Sequence, residues 1–409
     1  MKAEQFSEAL GEINGAYVEG AARYQSKPKP QSVWWTHLAA AACLALAVCA
    51  AVALWKGRAP QTELPLLPGE WGKDSIGGMG YEGYMAFDVS ELVSANPWRE
   101  DSGLAALPVY KNPLTWNEMH MASGTDFEAM RALALDIAAR LGLDPDTLAV
   151  TDDAPDEETK KAITEKIQSV GDEVPEGYFD PTAVRVEADG FSIEVDQSLT
   201  ARIDFEPPVS LPEGYRFSHN ATCEEMAAAA EYLKTAYAGL MGFENPQVNI
   251  SGGDYNIYAE RSFSLSFFEG SGSETEQIVN YNFNRTAFYP NDEGNLFIAR
   301  VYRPDLSQKV GDYPIISAEK ARELLLEGHY ITTVPYEMPG AEYVKKVELI
   351  YRTGMYEQYY MPYYRFYVEV PEGAPGGDTG LNDYGAYYVP AVDGAYLESM
   401  PTWNGSFNG

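Results

Sequence analysis

Tyrosine and arginine are the residues of this chain whose density and spacing could carry recognition chemistry. Ten of the 29 tyrosines fall in one stretch: Tyr351, Tyr356, Tyr359, Tyr360, Tyr363, Tyr364, Tyr367, Tyr384, Tyr387 and Tyr388. Arg365 lies among them. Tyr363, Arg365 and Tyr367 are two residues apart, so a strand puts all three on one face. An exposed face of that kind binds peptide, protein or glycan, and these three are the candidate binding residues. Tyrosine also suits half-buried strands, and sheet packing alone accounts for much of the cluster.

Bond-breaking chemistry has no comparable signature. The chain has no Gly-x-Ser-x-Gly elbow, no His-Glu-x-x-His, no phosphate loop and no dinucleotide fingerprint. Its four histidines, His37, His120, His219 and His329, are isolated from one another in sequence. A lone histidine is more often a surface or core residue than a metal ligand. Asp152-Asp153-Ala-Pro-Asp156-Glu157-Glu158 has the charge to attract calcium but lacks the alternating ligands and glycine of a calcium loop. It reads instead as a loop leading into a helix. Asp378 to Gly385 fails as a calcium loop for the same reason. Carboxylate pairs are too common among 61 acidic residues to single out a glycosidase-like site. No catalytic residue, metal or cofactor is expected.

The strands that position the tyrosines belong to the last third of the chain. A unit starts at Pro314-Ile315-Ile316-Ser317-Ala318-Glu319-Lys320-Ala321, and its helix runs to about Leu325. Val344 to Arg352, Met361 to Val370 and Tyr384 to Val392 read as strands. In the middle one, Tyr364, Phe366, Val368 and Val370 face one way, and Tyr363, Arg365, Tyr367 and Glu369 the other. Two earlier units share this grammar. Thr125-Asp-Phe-Glu128 is a capping box before Met130, Leu133, Ile137 and Leu141, and Gly142 and Pro145 end the helix. About 100 residues later Thr222-Cys-Glu-Glu225 opens a helix with Met226, Ala230, Leu233, Tyr237 and Leu240, ended by Gly242 and Pro246. A helix near Glu157 to Val170 follows the first. Then come strands at Ala183 to Ala188 and Phe191 to Val195, joined by the hairpin signal Asp189-Gly190. After the second come Gln247 to Ser251, Asn256 to Glu260, Ser262 to Phe268, Gln277 to Phe283 and Asn295 to Tyr302.

The expected fold class is therefore α+β, with a single-pass membrane helix followed by two or three helix-plus-antiparallel-sheet units. The boundaries are a tail at 1–32, a membrane helix at 33–55, a Pro/Gly-rich stalk at 56–110, and α+β units at 111–210, 211–311 and 312–409.

The membrane helix rests on residues 33–55, which contain no charged residue. A helix from Trp34 to Trp55 is roughly 32 Å long, close to the hydrocarbon thickness. Trp34, Trp35 and Trp55 stand at its ends as interfacial anchors. A buried soluble helix would not be apolar all round for six turns, and a signal peptide has a shorter apolar region of about 7 to 15 residues. Leu46-Ala47-Val48-Cys49 keeps a lipid anchor open as an alternative. Arg23, Lys27 and Lys29 against Lys56 and Arg58 give a small bias toward a cytoplasmic amino terminus. The chain carries a formal charge of −32, and its first 55 residues are balanced, so the whole excess lies in the larger part beyond them. So acidic a block excludes a nucleic-acid groove. It also stands off anionic lipid. Cys223 is the one cysteine of the larger part, which excludes an intrachain disulfide there.

Ile316-Ser-Ala-Glu-Lys-Ala321, Val347-Glu-Leu-Ile-Tyr351, Met361-Pro-Tyr-Tyr-Arg-Phe-Tyr367 and Tyr387-Tyr-Val-Pro-Ala-Val392 resemble PepSY-like ectodomains, an arrangement also met in regulatory ectodomains of bacterial two-component systems. The resemblance covers residues 312–398. The amino-terminal part, with Phe6-Ser-Glu-Ala-Leu-Gly-Glu-Ile13, Tyr17-Val-Glu19 and Lys27-Pro-Lys29, resembles membrane-anchored hypothetical proteins of clostridia associated with sigma-factor or signalling regulation. The resemblance implies binding or regulation without catalysis and carries over no catalytic residue.

Two functions fit these observations. The first is a membrane-anchored, extracytoplasmic binding or sensory protein with no catalytic activity of its own. The alternative is a cell-wall glycan-binding protein or hydrolase accessory using the tyrosine face. In the tail, Phe6, Leu10, Ile13 and Tyr17 lie on one helical face, while Gly11, Gly15 and Gly20 weaken that helix. It is expected either to fold on a cytoplasmic regulator or to lie on the lipid surface, with the protein partner favoured.

Overall fold

The computed structural model describes residues 64–69, 81–116, 121–332, 334–354, 356–371 and 380–405. All belong to the second of two compact units, Leu64–Gly409; the first is Met1–Glu63. The tail at 1–32 and the apolar span at 33–55 lie outside the described residues, and no helix among those described is long and apolar enough to cross a membrane.

The expected stalk is the first correction. Strands β1 (Gly83–Ala86) and β2 (Ala106–Lys111) fall inside it. Leu67, Ala86, Leu92, Leu107 and Val109 are buried. Proline and glycine punctuate this stretch, but between them its apolar residues still have strands to pair with. After β2 come the two-residue strands β3 (Thr115–Trp116) and β4 (Ala122–Ser123), which pair with each other.

The next elements build one sheet. Helix α1 (Phe127–Arg140) precedes β5 (Val150–Asp152), α2 (Glu157–Ser169), β6 (Ala183–Ala188), β7 (Phe191–Asp196) and β8 (Thr200–Val209). Helix α3 (Cys223–Ala236) and the short α4 (Ala238–Met241) precede β9 (Pro246–Tyr255), β10 (Arg261–Glu269), α5 (Glu274–Phe283), β11 (Arg285–Pro290) and β12 (Leu296–Tyr302). The strand order is β5-β6-β7-β8-β12-β11-β10-β9. The units expected at 111–210 and 211–311 are thus two halves of one antiparallel sheet, joined along β8 and β12 with Arg202 opposite Arg300. Met130, Ala134 and Ile137 of α1 share one core with Met226, Ala230 and Leu233 of α3. Inward residues of β6, β7, β8, β10 and β12 complete it.

Local signals explain most boundaries. Asp189-Gly190 turns the β6–β7 hairpin, with Gly190 at φ +91. Thr222 and Glu225 form a reciprocal capping box. At α1 the cap is Asp126, whose carboxylate accepts from the Ala129 amide, so the helix starts one residue later than a box at Thr125 requires. A carboxylate at this position is at least as good a cap as a hydroxyl. Two expected strands are corrected. Residues 277–283 lie in α5, opened by a capping box between Ser273 and Glu276. Residues 256–260 form the β9–β10 turn, where the Asn256 side chain accepts from the Tyr258 and Glu260 amides.

The last unit holds β13 (Lys309–Pro314), α6 (Ala318–Leu326), β14 (Ile331–Thr332), β15 (Val344–Tyr351), β16 (Tyr359–Tyr360), β17 (Pro362–Glu369) and β18 (Asn382–Pro390). Its main sheet runs β1-β18-β17-β15, with β14 also on β18. A smaller sheet runs β13-β2-β16. One face of β17 packs Tyr364, Phe366 and Val368 with Ala321 and Leu325 of α6. The other packs Tyr363 with Val109, Tyr313, Ile350 and Leu67. The strand is therefore covered on both sides. The architecture is α+β with mainly antiparallel sheets.

Ile137 and Leu233 are each at most 1% exposed in the shared core. Ile137→Ala and Leu233→Ala should each lower stability by about 2–4 kcal/mol, read from urea unfolding followed by circular dichroism. A cost under about 1 kcal/mol for either would remove that residue from the core.

Candidate functional site

The alternation expected for β17 is present, but its Tyr363/Arg365/Tyr367 face is not exposed. Tyr363 is 1% and Tyr367 6% exposed, which corrects the exposed aromatic platform. Eight of the ten clustered tyrosines are buried, all but Tyr356 and Tyr359, and several of their hydroxyls find partners inside. Tyr351 donates to the Pro108 carbonyl, Tyr364 to that of Ile316 and Tyr387 to that of Tyr336, while Tyr388 pairs with Glu82. A phenol buried with its hydroxyl satisfied contributes apolar area at little polar cost.

Glu348 is the centre of the charged network on that face. It is 4% exposed and stands opposite Arg365 in the β15–β17 register. Its Oε2 accepts from Arg365 at 2.5 Å and from the Tyr367 hydroxyl at 3.2 Å. Its Oε1 accepts from the Ser94 hydroxyl at 2.7 Å and pairs with Lys346 Nζ at 2.7 Å. Burial pushes the Glu348 carboxyl up, but Arg365 and then Lys346 outweigh burial and hold it at about 2. Arg365 lies over the Tyr367 ring at 5.1 Å, and Lys346 over the same ring at 5.0 Å.

A cavity of about 270 Å³ opens beside this network, where the two large sheets meet. Ser94, Asn249, Ser264, Tyr281, Arg285 and Arg365 line it, contributed by six different segments. Asn249 is fixed: its Oδ1 accepts from the Ala95 amide and its Nδ2 donates to the Ser266 hydroxyl. Arg285 lies 4.3 Å from the centre of the Tyr302 ring and, among the described residues, makes no ion pair. The Nε atoms of Arg285 and Arg365 are both buried without a hydrogen-bond partner among the described residues.

Glycine permits this seam. Gly252 and Gly253 have φ of +107 and +100, and a Cβ on Gly253 would lie 2.0 Å from the Glu91 carbonyl oxygen. That close approach lets Val93 exchange both backbone hydrogen bonds with Gly252. Arg261 braces it, donating to the carbonyls of Gly253 and Glu91.

The structure thus brings Arg365 and Tyr367 to the cavity and leaves Tyr363 in the core under Arg352, 5.5 Å from its ring. Phe6, Leu10, Ile13, Tyr17, Trp34, Trp35 and Trp55 lie outside the described residues. Sequence reading missed Glu348, Arg285, Ser94 and Asn249. Lys346 and Glu348, mid-strand among apolar residues and facing a strand that carries Arg365, were the available signal. Asp153, considered for calcium, instead accepts from the Thr182 and Ala183 amides, and Asp156 caps α2. Among the described residues no three His, Cys, Asp or Glu side chains are grouped to hold a metal.

No protein-family model matches the chain, and no curated protein matches it in sequence.

Because the folded Glu348 titrates below a free glutamate at about 4.3, its stabilisation is complete above about pH 4.5 and is lost as pH falls toward 2. Glu348→Gln leaves Arg365 and Lys346 without their carboxylate and should cost about 3–5 kcal/mol at neutral pH. Urea unfolding against pH should show the gap to the native protein narrowing between about pH 4.5 and 2. A gap unchanged across that window would mean that Glu348 does not carry the charge described.

Proposed function

We propose that this chain is a membrane-anchored, extracytoplasmic binding protein of the sensory or regulatory class, with no catalytic step of its own. The observation that carries the proposal is the seam cavity. Strands of both large sheets, helix α5 and the Ser94 segment converge on a polar space of about 270 Å³, just below the roughly 300 Å³ at which small-ligand sites begin. A ligand there touches elements of both sheets at once, and its occupancy biases how they pack. The anchor at 33–55, its Trp34, Trp35 and Trp55 ends and the acidic block beyond it support a cytoplasmic amino terminus with the larger part outside. The PepSY-like pattern over 312–398 belongs with the same reading. The tail face of Phe6, Leu10, Ile13 and Tyr17 gives the molecule a place to engage a cytoplasmic regulator, so a ligand sensed outside has a partner inside.

Two measurements test the proposal. A reporter enzyme fused after Gly409 should be active only in the exported compartment; cytoplasmic activity overturns the placement. A small-fragment screen of the full chain, read by hydrogen exchange, should give hits that protect peptides carrying Ser94, Ser251 and Ser264. A screen with no such protection removes the cavity as the binding element.

A further inference from the structure

The seam cavity is cationic in a strongly acidic protein. The chain has 61 acidic against 29 basic residues, so a guanidinium at random should find a carboxylate easily. Arg285 has none within ion-pair distance among the described residues. Three cations, Arg285, Arg365 and Lys346, stand around the cavity and its network. Glu348 neutralises one of those charges. Of the acids in adjoining segments, Glu91 pairs with Arg261 and Glu82 with Tyr388, and burial pushes the Asp254 carboxyl up. Two buried guanidinium Nε donors, those of Arg285 and Arg365, lack partners among the described residues, and each such group costs about 1–3 kcal/mol when left unpaired. Guanidinium forks match oxyanions, and a planar carboxylate best of all.

The remainder of the lining narrows the class. Tyr84 and Tyr281 bring aromatic rings to the lining, and Ser251 and Ser264 line it as well. Ring faces beside hydroxyl and amide groups suit the apolar and polar faces of a sugar. Resting on the reading of this cavity as a ligand site, we infer that it takes a carboxylate-bearing sugar of about monosaccharide size, with the carboxylate on Arg285 and the free N–H groups of Arg365. Glu348 then acts as a positioning residue. It holds Arg365 in place and leaves part of its guanidinium for the ligand. The extended negative surface does not prevent this, since fields beyond about 8 Å are screened at physiological salt.

The experiment is calorimetry on the full chain in lipid nanodiscs, with D-glucuronate, D-glucose and inorganic phosphate as probes. Glucuronate should bind, glucose should not, and Arg285→Gln should weaken glucuronate about tenfold or more. Ser264→Phe places a ring in the cavity from an exposed position and should abolish binding even if Arg285→Gln proves unstable. Hydrogen exchange on the same samples locates the effect. Glucuronate binding that Arg285→Gln or Ser264→Phe leaves unchanged overturns the inference. Phosphate bound through Arg285 in preference to glucuronate overturns the sugar acid and leaves a phosphate site. Glucose bound as tightly as glucuronate, with the cavity protected, overturns the anion while the ligand site stands. No probe protecting the cavity overturns both.

Discussion

A single buried carboxylate ties the main sheet of the last unit to the segment that closes it. Glu348 cannot reach water to any useful extent, so its charge is tolerable only while Arg365 and Lys346 stay within reach. That requirement locks the register of β15 against β17. It also recruits the segment after β1: Ser94 donates to Glu348, and Lys346 Nζ donates to the Leu92 carbonyl. The same segment then crosses to the other sheet, through Val93 on Gly252 and Ala95 on Asn249. Hydrophobic burial supplies most of the stability of each layer, and it is not directional. The directional information that aligns one layer with the next comes from this short polar chain.

The eight-stranded sheet solves a different problem. A helix followed by four antiparallel strands leaves its last strand with an open ladder. Two such units placed with β8 against β12 satisfy both ladders at once and put α1 and α3 over one continuous core. Each half contributes to the core of the other, so neither closes its apolar face alone.

Local signals in the sequence were legible wherever the chemistry is local. The Asp189-Gly190 turn, the Thr222–Glu225 box and the alternation of β17 each involve residues within a few positions of one another, and each formed. Helix α5 reads as a strand by local pattern because Val279, Tyr281 and Phe283 alternate, although the Ser273–Glu276 box before them argues for a helix. Burial was the harder quantity. An alternating strand states that it has two faces but not whether the second is wet, and the cover for β17 comes from β2 and Leu67, far upstream. The cavity was illegible for the same reason. Ser94, Asn249, Arg285 and Arg365 converge only through the registers of strands distant in sequence.

The bridge between Val93 and Gly252 has a consequence for how the molecule fails. Strand β9 is one of the two edge strands of the eight and spans Pro246–Tyr255, a long row of backbone donors and acceptors at the sheet margin. Unguarded margins of that length recruit strands from other chains. Val93 occupies part of the row, held there through Leu92 and Ser94 by Lys346 and Glu348. Loss of that hold exposes a template before it unfolds a core. The characteristic fault of a damaged copy is therefore self-association edge to edge, at a rate set by its concentration.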